Sequence, residues 1–264
     1  MIYIGIDDTD SLESRGTNKL AKSIAQQLAP RFVCRMIVRH QLLMDERVPF
    51  TSHNGSASII LEPRDRSALT DADLRTLFRE LKSLMLADFI PGSDPGLCLT
   101  TEVSDAIVAW GRRCQQEIVT QAAARELAAQ CGVMLEGLGG TEGGVIGALA
   151  AIGLTHTGND GRLIRWGDQP DDLSGPTDVE LLRQRDIEVR EVAADTSPDS
   201  LLGAALTAEQ SHSSALPGRV LTTGRVEVGK HARPNLRHGR AVLFVVRNIS
   251  ESADQAEWMS LRVK

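Results

Sequence analysis

The chain has 264 residues, a net charge of −6, 42% hydrophobic and 24% charged residues. That length buries a substantial core, enough for two modest domains or one elaborate one, and no apolar run approaches the roughly 20 residues that span a bilayer. The acidic balance argues against a long nucleic acid as an obligatory partner, because such proteins usually need a basic face. Aromatic residues make up only 3%, so Leu, Ile, Val and Ala must build the core. The chain opens on a strand-like segment with no basic region before it, which points to a cytoplasmic protein. Cys34, Cys98, Cys114 and Cys131 are widely spaced, with no CxxC pair. That spacing predicts buried free thiols and neither a zinc ribbon nor a disulfide framework.

In chain order, Met1–Ile6 reads as a short buried strand that breaks at carboxylates. Leu20, Ala21, Ile24, Ala25 and Leu28 have the spacing of an amphipathic helix over Thr17–Leu28, closed by Pro30. Phe32–Leu42 alternates as a half-exposed strand, and Ser56–Leu61 follows as another after the loop Pro49–Gly55. Leu74–Leu86 and Ser104–Gln130 read as helical, the second as one helix or as two interrupted near Gly111. Pro91–Gly96 between them is a turn. A glycine-rich stretch from Gly137 runs into an apolar helix at Val145–Leu154. Arg162–Trp166 is strand-like, Val179–Arg185 helical, Ser197–Pro217 a polar loop, and Gly218–Glu227 and Ala241–Arg247 strands. The irregular interleaving predicts an α+β fold.

The first candidate site is the acidic loop Asp7-Asp8-Thr9-Asp10. Carboxylates at the end of a buried strand project into the crevice where ligands bind. Two of them held 4 Å apart repel by about 4 kcal/mol at an effective dielectric of 20, and a divalent cation relieves this. Magnesium suits all-oxygen ligands and keeps waters for bridging to phosphates. The plainer alternative is that these acids cap the next helix or line a solvated turn. Gly16 and Thr17 then open a helix, whose N-terminal amides form a ready anion site. Thr17 would serve there as an N-cap, a phosphate contact or an acceptor. Lys19 would neutralise a phosphate or stand as a solvated charge.

The second candidate is Gly137-Leu138-Gly139-Gly140-Thr141-Glu142-Gly143-Gly144, whose backbone could approach a ligand closely. It is neither a Walker A loop nor a dinucleotide fingerprint, and a flexible turn or tight helix packing explains it equally well. His53, Asn54 and Gly55 offer hydrogen-bond donors to a phosphate, or form a turn. Asp94 is either a pocket acid or the stabiliser of its own turn. His231, His238, Arg233, Arg237 and Arg240 either hold an anion or are ordinary surface charge.

Together these segments resemble the archaeal agmatidine synthase family, which modifies the anticodon cytidine of an isoleucine tRNA. The match runs through Gly5–Ser11 (Gly-Ile-Asp-Asp-Thr-Asp-Ser), Gly16–Ala21, Arg39 with Pro49–Gly55, Pro95-Gly96, Gly147–Gly153, and His238-Gly239 with Val242–Arg247. The resemblance implies a kinase-like α/β domain over 1–143 with an appended ferredoxin-like domain over 144–264. It implies ATP and Mg2+ bound through Asp7, Asp8 and Asp10, and Thr17 as the counterpart of a threonine that accepts phosphate. Gly16, Asn18, Lys19, His53, Asn54, Gly55, Gly139, Gly140, Gly143 and Gly144 make up the expected nucleotide-binding set. His53 stands where the family usually has Arg, and Asn18 and Lys19 differ from the family's residues. The family continues into an OB-fold and a zinc ribbon that grip tRNA, and these are absent here. The acceptor is therefore expected to be a small molecule ahead of a tRNA cytidine, unless a separate RNA-binding partner supplies the grip. Two other readings remain open. One is a haloacid-dehalogenase-like phosphatase, suggested by Asp8-Thr9-Asp10 after an apolar strand. The other is a non-catalytic nucleotide-binding subunit.

Overall fold

The computed structural model describes residues 1–9, 16–48, 54–88, 91–167, 173–196, 201, 216–230, 232–248 and 256–262. The fold is α+β, with six helices and thirteen strands among these residues. The chain divides into two compact units, Met1–His156 with Arg165–Asp168, and Thr157–Ile164 with Gln169–Lys264.

In the first unit, β1 (Ile2–Asp7) is the central strand. It pairs antiparallel with β3 (Gly55–Pro63) on one side and with β4 (Gly96–Thr100) on the other. β2 (Phe32–Gln41) lies beyond β3 and β5 (Met134–Gly137) beyond β4, giving the order β5-β4-β1-β3-β2. Alternation along β1 sends Tyr3, Gly5 and Asp7 to one face and the buried Ile2, Ile4 and Ile6 to the other. α1 (Thr17–Leu28) packs against β2 and β3 through Leu20, Ala21, Ile24 and Leu28. α2 (Asp71–Ala87) begins three residues before the predicted helix. Thr70 caps the Asp73 amide while Asp73 answers the Thr70 amide, a capping box built with Asp in place of the usual Glu.

α5 (Val145–His156) covers the Gly5 face of β1 and is buried on every side, as a helix apolar all round must be. It is clasped by α3 (Asp105–Gln116) and α4 (Gln121–Cys131) in one apolar cluster that includes Ile107, Trp110, Ala124, Ala128, Leu149 and Ile152. Helix and strand meet closer than side chains normally allow. A Cβ at Gly5 would sit 1.9 Å from the Ala148 carbonyl oxygen, and one at Gly96 would sit 2.1 Å from Gly144. α5 therefore belongs to the first unit, and the division falls after His156, beyond the expected 143/144. Beneath the helix's C-terminal half lies a buried polar set. His40 Nε2 is 2.6 Å from Thr155 Oγ1, and the Thr155 hydroxyl also meets that of Ser58.

The predicted helical stretch Ser104–Gln130 breaks at residues 117–120 rather than at Gly111. Glu117 is extended and Thr120 caps α4 by accepting from the Ala123 amide. Gly111 lies inside α3, where a Cβ would meet the Ala150 carbonyl oxygen at 2.9 Å. That glycine marks a helix crossing, not a helix end.

In the second unit, β12 (Arg240–Arg247) runs parallel to β8 (Ile187–Glu191). It also pairs antiparallel with β11 (Asn235–Arg237) and β13 (Trp258–Ser260). β13 continues to β10 (Arg225–Val228) and then β7 (Gly175–Asp178), from which α6 (Val179–Gln184) follows directly. β9 (Arg219–Val220) extends β8, and β6 (Arg162–Trp166) joins β11 where Arg162 faces Asn235. The β11–β12 hairpin turns at His238 and Gly239, both with positive φ, the geometry a two-residue hairpin needs.

Among the described residues, no helix is long and apolar enough to cross a membrane. Cys34, Cys98 and Cys114 are buried free thiols and Cys131 is half-buried.

Candidate functional site

β1 ends at Asp7, which is 8% exposed. A strand sends consecutive side chains to opposite faces, yet Asp7 and Asp8 line the same cavity. The backbone explains this: Asp8 has φ 48°, in the left-handed region that Asp tolerates better than most residues. The turn of the chain there cancels the alternation and brings two carboxylates to one side.

Asp7 is seated against the first turn of α5. A Cβ at Gly147 would lie 1.8 Å from Asp7 Oδ2, so glycine is required for the carboxylate to rest there. A negative charge beside a helix N-terminus gains about 0.3–1 kcal/mol, up to about 2 when partly buried. The charge is felt nearby as well. Burial first, and then Asp7, push the Cys114 thiol up to about 12.

The glycine-rich lead-in to α5 is fixed by Asp94. Its two carboxylate oxygens accept from the Thr141 amide and the Thr141 hydroxyl, each at 2.6 Å. Gly140, at φ 60°, lies directly beneath, where a Cβ would come within 1.7 Å of Asp94 Oδ1. Gln121 Nε2 donates to the Thr141 carbonyl at 2.9 Å, and Arg125 pairs with Glu142 at 2.5 Å. The Gly144 amide donates to the Asp94 carbonyl. The loop is thus a braced platform that sets the first turn of α5 behind Asp7.

Asp7, Asp8, Asp94, Thr141, Gly143 and Gly144 supply polar lining to a cavity of about 330 Å³. Leu42, Leu43, Val48, Ile118, Val119 and Ile146 supply its apolar lining, and Asn54, Gly55, Arg47, Glu117 and Gln121 border it as well. A few convergent polar groups against an apolar wall are the usual makings of a small-ligand site. Two walls enclose it. The stretch after β2 is tied to the end of α3 by Leu43 N–H to the Cys114 carbonyl and by Gln115 Nε2 to the Gln41 carbonyl. Asn54 Nδ2 holds the Leu43 carbonyl at 2.8 Å.

Comparison with known proteins gives structural neighbours only. No family model matches the chain, and no curated protein matches it. The solved structures similar to it include the TiaS–tRNA(Ile2)–ATP complex, at 20% identity over 58% of this chain and 36% of that one, with a TM-score of 0.49. A tRNA fluorescent labeling enzyme has 20% identity, 58% and 35% coverage and a TM-score of 0.48. Apo TiaS (tRNAIle2 agmatidine synthetase) has 19% identity, the same coverage and a TM-score of 0.47. The chain thus spans about a third of the length of the structures it matches.

The residues expected from sequence fall in three groups. Asp7, Asp8, Asn54, Gly55, Gly143 and Gly144 are brought together around the cavity. Gly16, Thr17, Asn18, Lys19, Gly139 and Gly140 are not among its lining residues. Asp10 and His53 lie outside the described residues, as do His231 and the acidic pair Asp171-Asp172. Gly16, not Thr17, occupies the N-cap of α1, and no side chain caps that helix. Thr17 is the first helical residue; its buried hydroxyl accepts from Thr9 Oγ1 at 3.1 Å, which ties the acidic loop to α1. Asn18 is half-buried and Lys19 exposed. The basic group near the C-terminus does not converge. Arg237 is buried and donates to main-chain carbonyls, Arg240 approaches Glu188 at 3.6 Å, and Arg233 donates to the Lys230 and Ala232 carbonyls.

Sequence reasoning missed Thr141, Gln121 and the apolar wall. Thr141 was visible as the one hydroxyl within the glycine stretch. The wall residues carry no signal of their own, because a Leu or Val facing a cavity has the same pattern as one facing the core.

Proposed function

We propose that this chain is an ATP- and Mg2+-dependent phosphoryl-transfer enzyme, with the kinase-like chemistry in the first unit and the ferredoxin-like part in the second. The single observation that carries the reading is the cavity shared by Asp7 and Asp8 at the strand end and by Gly143 and Gly144 at the head of α5. Carboxylates alone would repel a triphosphate, and a helix N-terminus alone would bind any anion. Side by side they suit an anion that arrives with a divalent cation.

Among the described residues no three His, Cys, Asp or Glu side chains form a group that would hold a metal ion by themselves. Two neighbouring carboxylates nonetheless fit magnesium, which commonly takes one or two protein carboxylates plus phosphate oxygens and waters. Asp7 and Asp8 would hold it, joined by Asp10, and when bound it would neutralise the charge on the phosphate oxygens. The chain's own contribution is positioning and charge placement, which supply most of the catalysis in phosphoryl transfer. The first turn of α5 would face the phosphates, with Asp94 and Thr141 keeping that turn in place. Asp8, on the cavity side of the strand end, would orient or accept the proton of the acceptor. The acceptor is a small molecule or an RNA base, the latter delivered with a separate RNA-binding partner.

A phosphatase of the haloacid-dehalogenase kind fits less well. It needs a second acidic pair at the end of a strand beside the first. Both neighbours of β1 are antiparallel, so β3 and β4 begin, rather than end, beside Asp7.

The test is turnover of labelled ATP by the pure chain with magnesium, against tRNA, nucleosides, polyamines and small metabolites. Asp8→Asn is expected to lower turnover by about 100-fold or more with the thermal transition unchanged. ATP binding without turnover against every acceptor would leave a nucleotide-binding subunit. Hydrolysis of phosphoesters with ATP ignored would leave a phosphatase.

A further inference from the structure

We infer that the apolar wall of the cavity that includes Ile118 and Val119 is a slot for a flat nitrogen heterocycle, a nucleobase, read at its edge by the main chain of those two residues. The inference rests on the nucleotide reading above and specifies which residues take the half of the ligand that carries no phosphate.

Three observations converge on this segment. Residues 117–120 bridge α3 and α4, and the two end residues are extended, Glu117 at φ −132°, ψ 154° and Thr120 at φ −113°, ψ 152°. The Glu117 amide donates back to Arg113 and the Thr120 carbonyl accepts from Ala124, so both ends are tied into helices. Between them, the main-chain groups of Ile118 and Val119 make no hydrogen bond among the described residues. Main-chain donors and acceptors outside helix and sheet must be satisfied by water or a ligand.

The side chains complete the slot. Ile118 is 46% exposed although it is large and apolar, and it lines the cavity with Val119. Leu43 and Val48 face it from the stretch after β2, which is tied to the end of α3. Two β-branched and aliphatic walls with a hydrogen-bonding edge match a planar ring that is apolar on its faces and polar on its rim. A sugar would waste the walls, and an aliphatic amine would waste the edge. Gly143 and Gly144 at the braced head of α5 line the same cavity, and the phosphates would lie against them.

The experiment is calorimetric titration of the full chain with magnesium plus ATP, adenosine or inorganic tripolyphosphate, using wild type and Ile118→Ser. Ile118 is half-exposed, so its replacement spares the core. Loss of one apolar wall is expected to weaken ATP and adenosine about ten-fold and to leave tripolyphosphate within about two-fold. Amide hydrogen exchange at Ile118 and Val119 should slow with adenosine and not with tripolyphosphate. Equal affinity for ATP and tripolyphosphate, with Ile118→Ser without effect, would overturn the slot and leave the triphosphate reading standing. Adenosine taken up with tripolyphosphate ignored would support the slot and remove that reading. No uptake of any of the three by wild type would overturn both.

Discussion

Each unit buries a charge, and the two are handled in opposite ways. In the first, Asp7 is 8% exposed and borders a cavity. In the second, Arg237 is 3% exposed, with its guanidinium wrapped in carbonyl oxygens: Leu201 from two nitrogens, Asn159 at 3.0 Å and Leu236 at 2.6 Å. Burial pulls the Arg237 pKa down to about 10, against the pull of Asp160, so it stays charged at neutral pH. A buried charge enclosed by the main chain is a clamp on architecture. A buried charge with a cavity beside it can be reached by a ligand. Burial alone does not separate the two; the surroundings do.

The largest expected effect tests the clamp. Arg237→Ala strips the Leu201, Asn159 and Leu236 carbonyls of their donors and removes a packed side chain, at about 4 kcal/mol of stability. Urea unfolding should register that loss while nucleotide affinity, measured where the variant is folded, stays unchanged. A fall in affinity would erase the contrast between the two sites.

A pair of glycine substitutions separates fold from site within the first unit. Gly5→Ala drives a methyl into the Ala148 carbonyl and should cost about 3 kcal/mol, because backbone must move. Gly147→Ala meets side chains and no backbone, the Asp7 carboxylate and the end of Leu42. It should cost about 1 kcal/mol in stability yet displace the carboxylate, weakening Mg-ATP about ten-fold by calorimetry. Were the order of the two stability losses reversed, α5 would not be seated on β1 as described.

The last test is a pH slope. The Cys114 thiol titrates near 9.0 when unfolded and is pushed up to about 12 in the fold. Between those values the unfolded chain releases a proton that the folded chain keeps, so stability falls as pH rises. The slope approaches about 1.4 kcal/mol per pH unit for one group, and below pH 9 this contribution is fully present. Cys98, also raised by burial, adds in the same direction, so Cys114→Ala should shallow the alkaline slope without abolishing it. Denaturant unfolding from pH 8 to 11 provides the measurement.

Much of the first unit was legible because its elements carry their own pattern. β1, α1, β2, β3 and α5 were placed to within about two residues, since each has a period or an apolar run long enough to read. β4, β5 and β8 were not, being four or five residues long and ordered by the partners they pair with. The break between α3 and α4 was expected at Gly111, the weakest helix former in the stretch, whereas packing against α5 makes that glycine necessary inside the helix. The acidic strand end was legible as chemistry, and the glycine stretch as a place of close approach. What the glycines approach was not: Gly144 abuts Asp94 and Gly96, and Gly147 abuts Asp7, contacts between segments far apart in sequence. Arg237 was read as an anion contact or as surface charge, because no local pattern distinguishes an arginine that makes four hydrogen bonds to carbonyls from one that finds water or a ligand.

The left-handed backbone at Asp8 also dictates how its role should be probed. Asn accepts that conformation about as readily as Asp, so Asp8→Asn removes the charge and one acceptor oxygen while keeping the elbow. Ala does not, and Asp8→Ala would let the strand end relax by about 1 kcal/mol or more. That swings Asp7's neighbour back to the far face of the sheet. Activity lost in the alanine variant would thus confound a missing oxygen with a straightened chain, and glycine would free the hinge altogether. On the proposed function one residue is both ligand and elbow, and only an isosteric exchange tells the two duties apart.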